Sequence, residues 1–227
     1  MNAFPLLLTI YAGFVHAFEG DHLLAVSNIV SQRNSIRLSL KDGIYWGLGH
    51  TSTILLIGML VMLFRVNISA QYFLYLETIV GIMLIALGFY RLKKLISSKK
   101  FTIHAPALEH DEIGVHQHPH VHMDSPSKHS HQHSLAYGIG LVHGLAGSGA
   151  LIVMVMTQIK QPTNGLLFLL IFGFGSIGGM LIAAALFSIP FSKKILKGRG
   201  LQKSLIIISA MLCLVYGWVI VYNNFFI

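Results

Sequence analysis

The seven residues HAFEGDH, His16 to His22, place two imidazoles and two carboxylates inside a stretch that is otherwise apolar. The segment PLLLTIYAGFV precedes them and LLAVSNIV follows them. Ionisable side chains are costly in hydrocarbon, and those found there generally mark ion sites or proton paths. Because imidazole and carboxylate donors suit divalent transition metals, His16, Asp21 and His22 are candidate metal ligands.

Two further histidines lie in other apolar segments, His50 in LGHTST and His143 in GLVHGLAGSG. A rise of about 1.5 Å per residue puts His22, His50 and His143 at a similar depth, roughly 10 to 14 Å into the membrane. His50 is therefore a fourth candidate ligand. His143 is either an additional ligand or a hydrogen-bonding residue between helices, and Glu19 is a candidate orienting or proton-carrying carboxylate.

The composition is that of an integral membrane protein. Of the 227 residues, 54% are hydrophobic and only 11% are charged, and the mean hydropathy is +0.69. A transmembrane helix needs roughly 20 predominantly apolar residues. The sequence therefore predicts an all-α fold with six transmembrane helices, at about 4–30, 43–64, 72–96, 134–157, 165–190 and 204–226.

The two halves of the chain resemble each other. GFVHAFEGDHLLAV, which contains His16, aligns without gaps on GLVHGLAGSGALIV, which contains His143, and GLGH, ending at His50, aligns on GFGS. An odd number of helices per unit turns the second copy over in the membrane. The sequence thus predicts two inverted three-helix repeats, 1–96 and 134–227, an arrangement typical of secondary transporters with the site at the repeat interface.

The basic residues predict the orientation. Of the 16 lysines and arginines, fourteen fall in the first, third and fifth connections, whereas Arg65 and Lys160 lie on the other side. The positive-inside rule makes those three connections cytoplasmic and puts both termini outside. The net charge of +8 then reflects topology and contact with anionic membrane lipids. We expect a multi-pass protein of the cell membrane with no nucleic-acid partner.

The third connection, 97–133, interrupts the apolar pattern with a polar segment rich in histidine and proline. Its composition predicts a disordered cytoplasmic loop. Many imidazoles on a flexible tether suit weak, exchangeable metal buffering, and the alternative is a polar or pH-sensitive linker. The candidate buffering residues are His104, His110, His116, His118, His120, His122, His129, His131 and His133.

These motifs resemble those of a known family. HAFEGDH is similar to the HAxDADH signature of nickel/cobalt transporters, LGHTST resembles their second motif, and GLVHGLAGSGAL and FGFGSIGGML resemble the second half of the six-span, UreH-like members. The resemblance implies that His16, Asp21 and His22 occupy metal-binding positions and that His50 is the second-motif histidine. Glu19 departs from the signature, which has Asp there.

The resemblance implies a secondary transporter that takes up Ni²⁺ or Co²⁺ as cargo, with no cofactor, to supply urease or other nickel enzymes. A cytoplasmic nickel chaperone or urease accessory protein would then be a partner. The chain has no GxxxxGK[ST] motif for a nucleotide-driven step, and we expect no enzymatic activity. The alternatives are a nickel/cobalt efflux protein, an organic-anion exporter and a metal-dependent intramembrane hydrolase with Glu19 as general base.

Overall fold

The computed structural model describes residues 3–31, 33, 35–64, 70–97, 133–146, 161–191 and 199–226. All regular secondary structure in these ranges is α-helical. In chain order the helices are α1 (Ala3–His16), α2 (Gly20–Val30), α3 (Ile36–Phe64), α4 (Ala70–Ser97), α5 (His133–Ala146), α6 (Pro162–Ser188) and α7 (Arg199–Phe226).

Four of the described helices, α3, α4, α6 and α7, are long and apolar enough to cross a membrane. Their apolar stretches are 26 to 29 residues long, which corresponds to about 39 to 44 Å at 1.5 Å per residue. This length exceeds the hydrocarbon thickness of about 30 Å. The all-α membrane fold and the second, third, fifth and sixth predicted spans therefore correspond to helices of sufficient length.

The first predicted span, 4–30, is not one helix. It is divided into α1 and α2, and the intervening turn is held by backbone hydrogen bonds from Phe18 N–H to the Val15 carbonyl, 2.9 Å, and from Glu19 N–H to the His16 carbonyl, 3.1 Å. The interruption precedes Gly20, which is already the first residue of α2. The break between the two helices therefore comprises residues 17–19, directly before Gly20.

The fourth predicted span, 134–157, corresponds to α5 as far as Ala146. Its remainder, 147–157, lies outside the described residues. The histidine-rich connection lies outside them as well, except for His133, which begins α5 rather than ending the loop.

Helix α3 occupies the middle of the bundle, with extensive contacts to α5 and α6. Helix α1 packs on α6 and α4 packs on α7, while the short helix α2 touches α3, α4, α6 and α7. Glycines allow these close approaches. A Cβ at Gly144 of α5 would lie 2.5 Å from the carbonyl oxygen of His50 and 2.8 Å from the Cβ of Thr53. The α3–α5 contact therefore brings the backbones together beside His50.

Large apolar side chains cover the outside of the bundle. Phe64 of α3, Phe174 of α6 and Trp218 of α7 are each more than 60% exposed. A contiguous apolar exterior of this kind on a helical protein is suited to contact with lipid. The buried polar residues lie instead among the helices, where they can interact with one another.

Candidate metal centre

Four histidines converge in the interior of the bundle, each from a different helix. His16 ends α1, His22 lies in the first turn of α2, His50 lies midway along α3, and His143 lies in the last turn of α5. His16 is 8% exposed and the other three are completely buried. The tertiary fold thus brings four histidines, spread over sequence positions 16 to 143, into one cluster.

His22 stands at the centre of this cluster. Its ring centroid lies 4.7 Å from that of His16, 5.2 Å from that of His50 and 4.7 Å from that of His143. The rings of His16 and His50 are 5.3 Å apart. Each of the other three imidazoles is therefore a close neighbour of His22.

The donor atoms form two overlapping groups. One ligand atom from each of His16, His22 and His50 lies within 4.8 Å of the others, and the same is true of Asp21, His22 and His143. Two ligands that bind one transition metal at about 2.1 Å lie about 3 to 4 Å apart. Small rotations of side chains would therefore bring either group to coordination distance.

Carboxylates hold two of the imidazoles by one ring nitrogen. The Nδ1 atom of His16 lies 2.8 Å from Oε1 of Glu19, and Nδ1 of His22 lies 2.9 Å from Oδ1 of Asp21. The backbone N–H of His22 also donates to Oδ1 of Asp21, at 2.8 Å. A carboxylate on one ring nitrogen is the usual way of orienting the other toward a metal.

The opposite nitrogens have no hydrogen-bond partner among the described residues. These atoms are Nε2 of His16, of His22 and of His143, together with both ring nitrogens of His50. Buried polar atoms in proteins are almost always hydrogen-bonded, and leaving one unpaired costs about 1 to 3 kcal/mol. A neutral imidazole has one nitrogen lone pair available, so the four rings together can offer four lone pairs to a cation.

The structure thus gathers all four residues predicted as ligands, His16, Asp21, His22 and His50. Asp21 contacts His22 through Oδ1, and its Oδ2 lies 3.7 Å from Nε2 of His143. His143, for which the sequence left two roles open, belongs to the same cluster. The contact between its Nδ1 and the Ile139 carbonyl oxygen is long, 3.4 Å, so hydrogen bonding within α5 accounts poorly for its burial.

Aromatic walls around the cluster were not predicted. Trp46 stacks on His22 with centroids 5.6 Å apart and meets His143 edge-on at 5.5 Å. Phe172 lies 5.4 Å from His16. A sequence signal existed for Trp46, because it precedes His50 by one helical turn and therefore shares its face. Burial of these rings keeps the imidazole nitrogens away from lipid and bulk water.

His133 was predicted as a loop residue and is instead part of an ion-pair network. Its Nδ1 lies 2.8 Å from Oδ1 of Asp42, and its ring stacks on Tyr45 at 5.2 Å. Arg33 donates to both oxygens of Asp42, with Nη2 2.7 Å from Oδ1 and Nε bonded to Oδ2. The Asp42 side chain is 1% exposed. His133 therefore joins the start of α5 to α3. The other eight loop histidines lie outside the described residues.

An apolar helical bundle with an interior cluster of imidazoles and carboxylates defines a helical membrane protein with a candidate cation site. The family described as the cytochrome c biogenesis protein transmembrane region matches residues 12–219. The urease accessory protein UreH of Bacillus sp. (strain TB-90) is 35% identical over 227 aligned positions, which cover 98% of this chain and 94% of that protein. The chain therefore belongs to this transmembrane family and is UreH-like. No solved structure matches it significantly.

Proposed function

We propose that this protein is a secondary transporter that moves Ni²⁺ or Co²⁺ across the cell membrane through the interior His/Asp cluster. The observation that carries the proposal is the cluster of four buried imidazoles with unpaired ring nitrogens, of which His22 and His143 group with Asp21. The relative is named as a urease accessory protein. We therefore propose that the ion taken up supplies urease or another nickel enzyme, directly or through a cytoplasmic nickel chaperone or urease accessory protein.

The donor types support nickel or cobalt as cargo. The cluster offers imidazole nitrogen and carboxylate oxygen, and such mixed donors suit divalent metals of intermediate softness. Cys213 is bonded elsewhere, since its sulfur accepts a hydrogen bond from Nδ2 of Asn28 at 2.8 Å. A set without thiolate holds the ion less tightly than a thiolate site, which favours release on the far side.

The membrane potential is a sufficient energy source for uptake. A doubly charged ion that enters a negative-inside cell gains about 4.6 kcal/mol per 100 mV. The positive-inside bias supports a cytoplasmic position for the histidine-rich connection, where its imidazoles would receive the ion. Efflux would use the same site in the opposite direction. Measuring ion flux in vesicles under a set membrane potential distinguishes uptake from efflux.

The contact of Glu19 with His16 bears on the hydrolase alternative. The carboxylate of Glu19 lies 2.8 Å from Nδ1 of His16, a position suited to orienting that imidazole. A hydrolytic base would instead have to face a metal-bound water. This geometry, together with the name of the UreH relative, favours transport over hydrolysis.

Packing between the halves supports the proposed inverted repeats. A Cβ at Gly13 of α1 would meet the carbonyl group of Phe172 in α6, and a Cβ at Gly140 of α5 would meet that of Trp46 in α3. The sequence alignment pairs Gly13 with Gly140 and Trp46 with Phe172. The same contact therefore recurs when the two halves are exchanged.

Helices α4 and α7 repeat this relation. A Cβ at Gly81 would meet the carbonyl oxygen of Gly217, and a Cβ at Gly88 would meet that of Ala210. In the sequence, VGIMLIALGF of the third predicted span aligns with SAMLCLVYGW of the sixth. This alignment pairs Gly81 with Ala210 and Gly88 with Gly217, so these contacts also exchange. A site between such related halves is where secondary transporters bind and release cargo.

Radiolabelled nickel uptake into proteoliposomes tests the proposal. Wild-type protein should catalyse uptake that increases with an inside-negative potential, and His22→Ala should lower the initial rate at least about tenfold. Glu77→Gln is the matched control, because Glu77 lies exposed on α4, and it should leave the rate unchanged. Equal uptake by wild-type and His22→Ala vesicles would contradict the proposal.

A further inference from the structure

The two donor groups differ in the helices that supply them. The first group, His16, His22 and His50, comes from α1, α2 and α3, all in the first half of the chain. The second group combines Asp21 and His22 of α2 with His143 of α5, in the second half. Each group has its donor atoms within 4.8 Å of one another, and the two groups share His22.

The two groups meet at His22 through different partners. His16 and His143 each have a ring centroid 4.7 Å from that of His22. The two oxygens of Asp21 have different neighbours. Oδ1 is hydrogen-bonded to Nδ1 of His22, whereas Oδ2 lies 3.7 Å from Nε2 of His143. Nε2 of His22 has no partner among the described residues.

We propose that the cluster holds one ion in two successive positions, and this inference rests on the transport function proposed above. The first position is the all-imidazole group of His16, His22 and His50. The second is the group of Asp21 and His143 beside His22, which includes a carboxylate. Passage of the ion between them transfers it from donors of the first half alone to donors shared with the second half.

Single occupancy follows from the chemistry of His22. A neutral imidazole has one nitrogen lone pair available, because its other nitrogen carries a proton. His22 can therefore serve one ion at a time. Two doubly charged ions at such short separation would also repel each other strongly in an interior of low dielectric. Asp21 orients His22 when the ion is in the first position and becomes a direct ligand in the second.

Equilibrium binding to the full-length protein in detergent tests the two positions. Calorimetry with nickel should give about one ion per chain. Loss of one of two alternative positions lowers affinity about twofold if both were equally populated, and about tenfold if the lost position held nine tenths of the ion. The affinities that His16→Ala and His143→Ala retain, as fractions of the wild-type value, should therefore add up to about one, whereas the double variant and His22→Ala should lose binding.

Uptake by the same variants gives the complementary result. Each single variant should lower nickel flux at least about tenfold although it still binds the ion, since one step of the path is missing. Glu77→Gln is carried through both measurements as the control. Size-exclusion elution checks folding, and His16→Gln or His143→Gln replaces any alanine variant that aggregates.

Cobalt adds a spectroscopic measurement. The visible absorption of Co²⁺ depends on its donors. In His16→Ala the ion should occupy the position that includes the Asp21 carboxylate, and in His143→Ala it should occupy the all-imidazole position. The absorption spectra of Co²⁺ bound to the two variants should therefore differ. Loss of all binding in either single variant, identical cobalt spectra, or wild-type flux in His143→Ala would overturn the two-position inference alone. Unchanged nickel binding in His22→Ala would overturn the proposed transport site itself.

Discussion

At the scale of residues, the two carboxylates of HAFEGDH differ in what they touch. Glu19 is bonded to His16 and its side chain is 55% exposed, whereas the Asp21 side chain is only 19% exposed and lies between His22 and His143. A charge counts for more where solvent is excluded. We therefore expect Asp21 to contribute more to cation binding than Glu19.

Asp21→Asn should weaken nickel binding at least about tenfold, which corresponds to about 1.4 kcal/mol. The amide retains an oxygen that can face His22, so the substitution removes chiefly the negative charge that offsets the divalent ion. Calorimetry on the purified protein measures the change, with Glu77→Gln as the charge-matched control. Equal affinity of Asp21→Asn and wild type would remove Asp21 from the site.

Glu19→Ala should lower nickel affinity by no more than His16→Ala does, up to about tenfold, because Glu19 acts on the ion only by orienting His16. Glu19→Gln should lower it less, because an amide oxygen can still accept a hydrogen bond from Nδ1 of His16. The two variants are compared by nickel titration. If alanine and glutamine cause the same loss, the role of Glu19 is not orientation of His16.

Nickel binding should weaken as the pH falls. Protons compete with the metal for the same nitrogen lone pairs, so binding releases protons and is favoured at higher pH. Calorimetry in buffers of different ionisation enthalpy measures the released protons directly. Affinity that rises on acidification would exclude neutral imidazoles as the main ligands.

At the scale of elements, the turn between α1 and α2 makes the cluster feasible. On an unbroken helix His16 and His22 would point about 240° apart around the axis. In the structure α1 ends at His16 and α2 begins at Gly20, and the two imidazole centroids come within 4.7 Å. Irregular backbone at membrane depth is tolerated where it lines a protein-enclosed cavity, which fits its location beside the cluster.

Two glycines of α5 provide a matched test of the α3–α5 contact. Gly144→Ala places a methyl group against His50 and Thr53, and such overpacking costs about 1 to 3 kcal/mol. A Cβ at Gly138 would meet nothing within 4 Å, so Gly138→Ala should stabilise the helix by up to about 1 kcal/mol.

Thermal unfolding in detergent and nickel titration of both glycine variants give the readout. Gly144→Ala should lower the Tm and weaken nickel binding, because the methyl group displaces α3 beside His50. Gly138→Ala should do neither. Equal behaviour of the two variants would mean that close α3–α5 packing does not position His50.

At the scale of the whole molecule, the Arg33–Asp42–His133 network links the two halves. Asp42 lies in the second turn of α3, and His133 is the first residue of α5. Hydrogen bonds join the buried carboxylate of Asp42 to both Arg33 and His133. The network therefore attaches the end of the histidine-rich connection to the bundle near the start of α3.

Deletion of residues 104–131 should leave nickel flux measurable and change its apparent affinity or regulation. Loop imidazoles can concentrate an ion, whereas the path through the membrane needs donors held among the helices. Proteoliposome flux over a range of nickel concentrations measures both quantities. Complete loss of flux in a correctly inserted deletion would contradict this expectation.

A longer deletion that includes His133 should lower the Tm more than deletion of 104–131, because it removes a partner of Asp42. The comparison separates the contribution of His133 to stability from the proposed metal-buffering role of the loop. Equal Tm values for the two deletions would show that the His133–Asp42 contact contributes little to folding.

Composition and hydropathy were sufficient to predict an all-α membrane protein, because apolar length alone decides whether a helix can cross a bilayer. The same reasoning singled out His16, Asp21, His22 and His50, since ionisable groups are too costly in hydrocarbon to occur there without a role. The convergence of His22, His50 and His143 could be expected from their similar depth, which did not extend to His16. These features depend on local sequence and on the solvent, and no tertiary contact is needed to infer them.

Only the tertiary structure decided which helices are neighbours and which way their side chains face. Hydropathy measures transfer out of water and carries no information on rotation about a helix axis. It therefore did not predict the aromatic wall of Trp46 or the anchoring of His133 by Asp42. The place of His143 beside Asp21 was likewise decided by packing, because it depends on the close approach of α5 to α3 at Gly140 and Gly144.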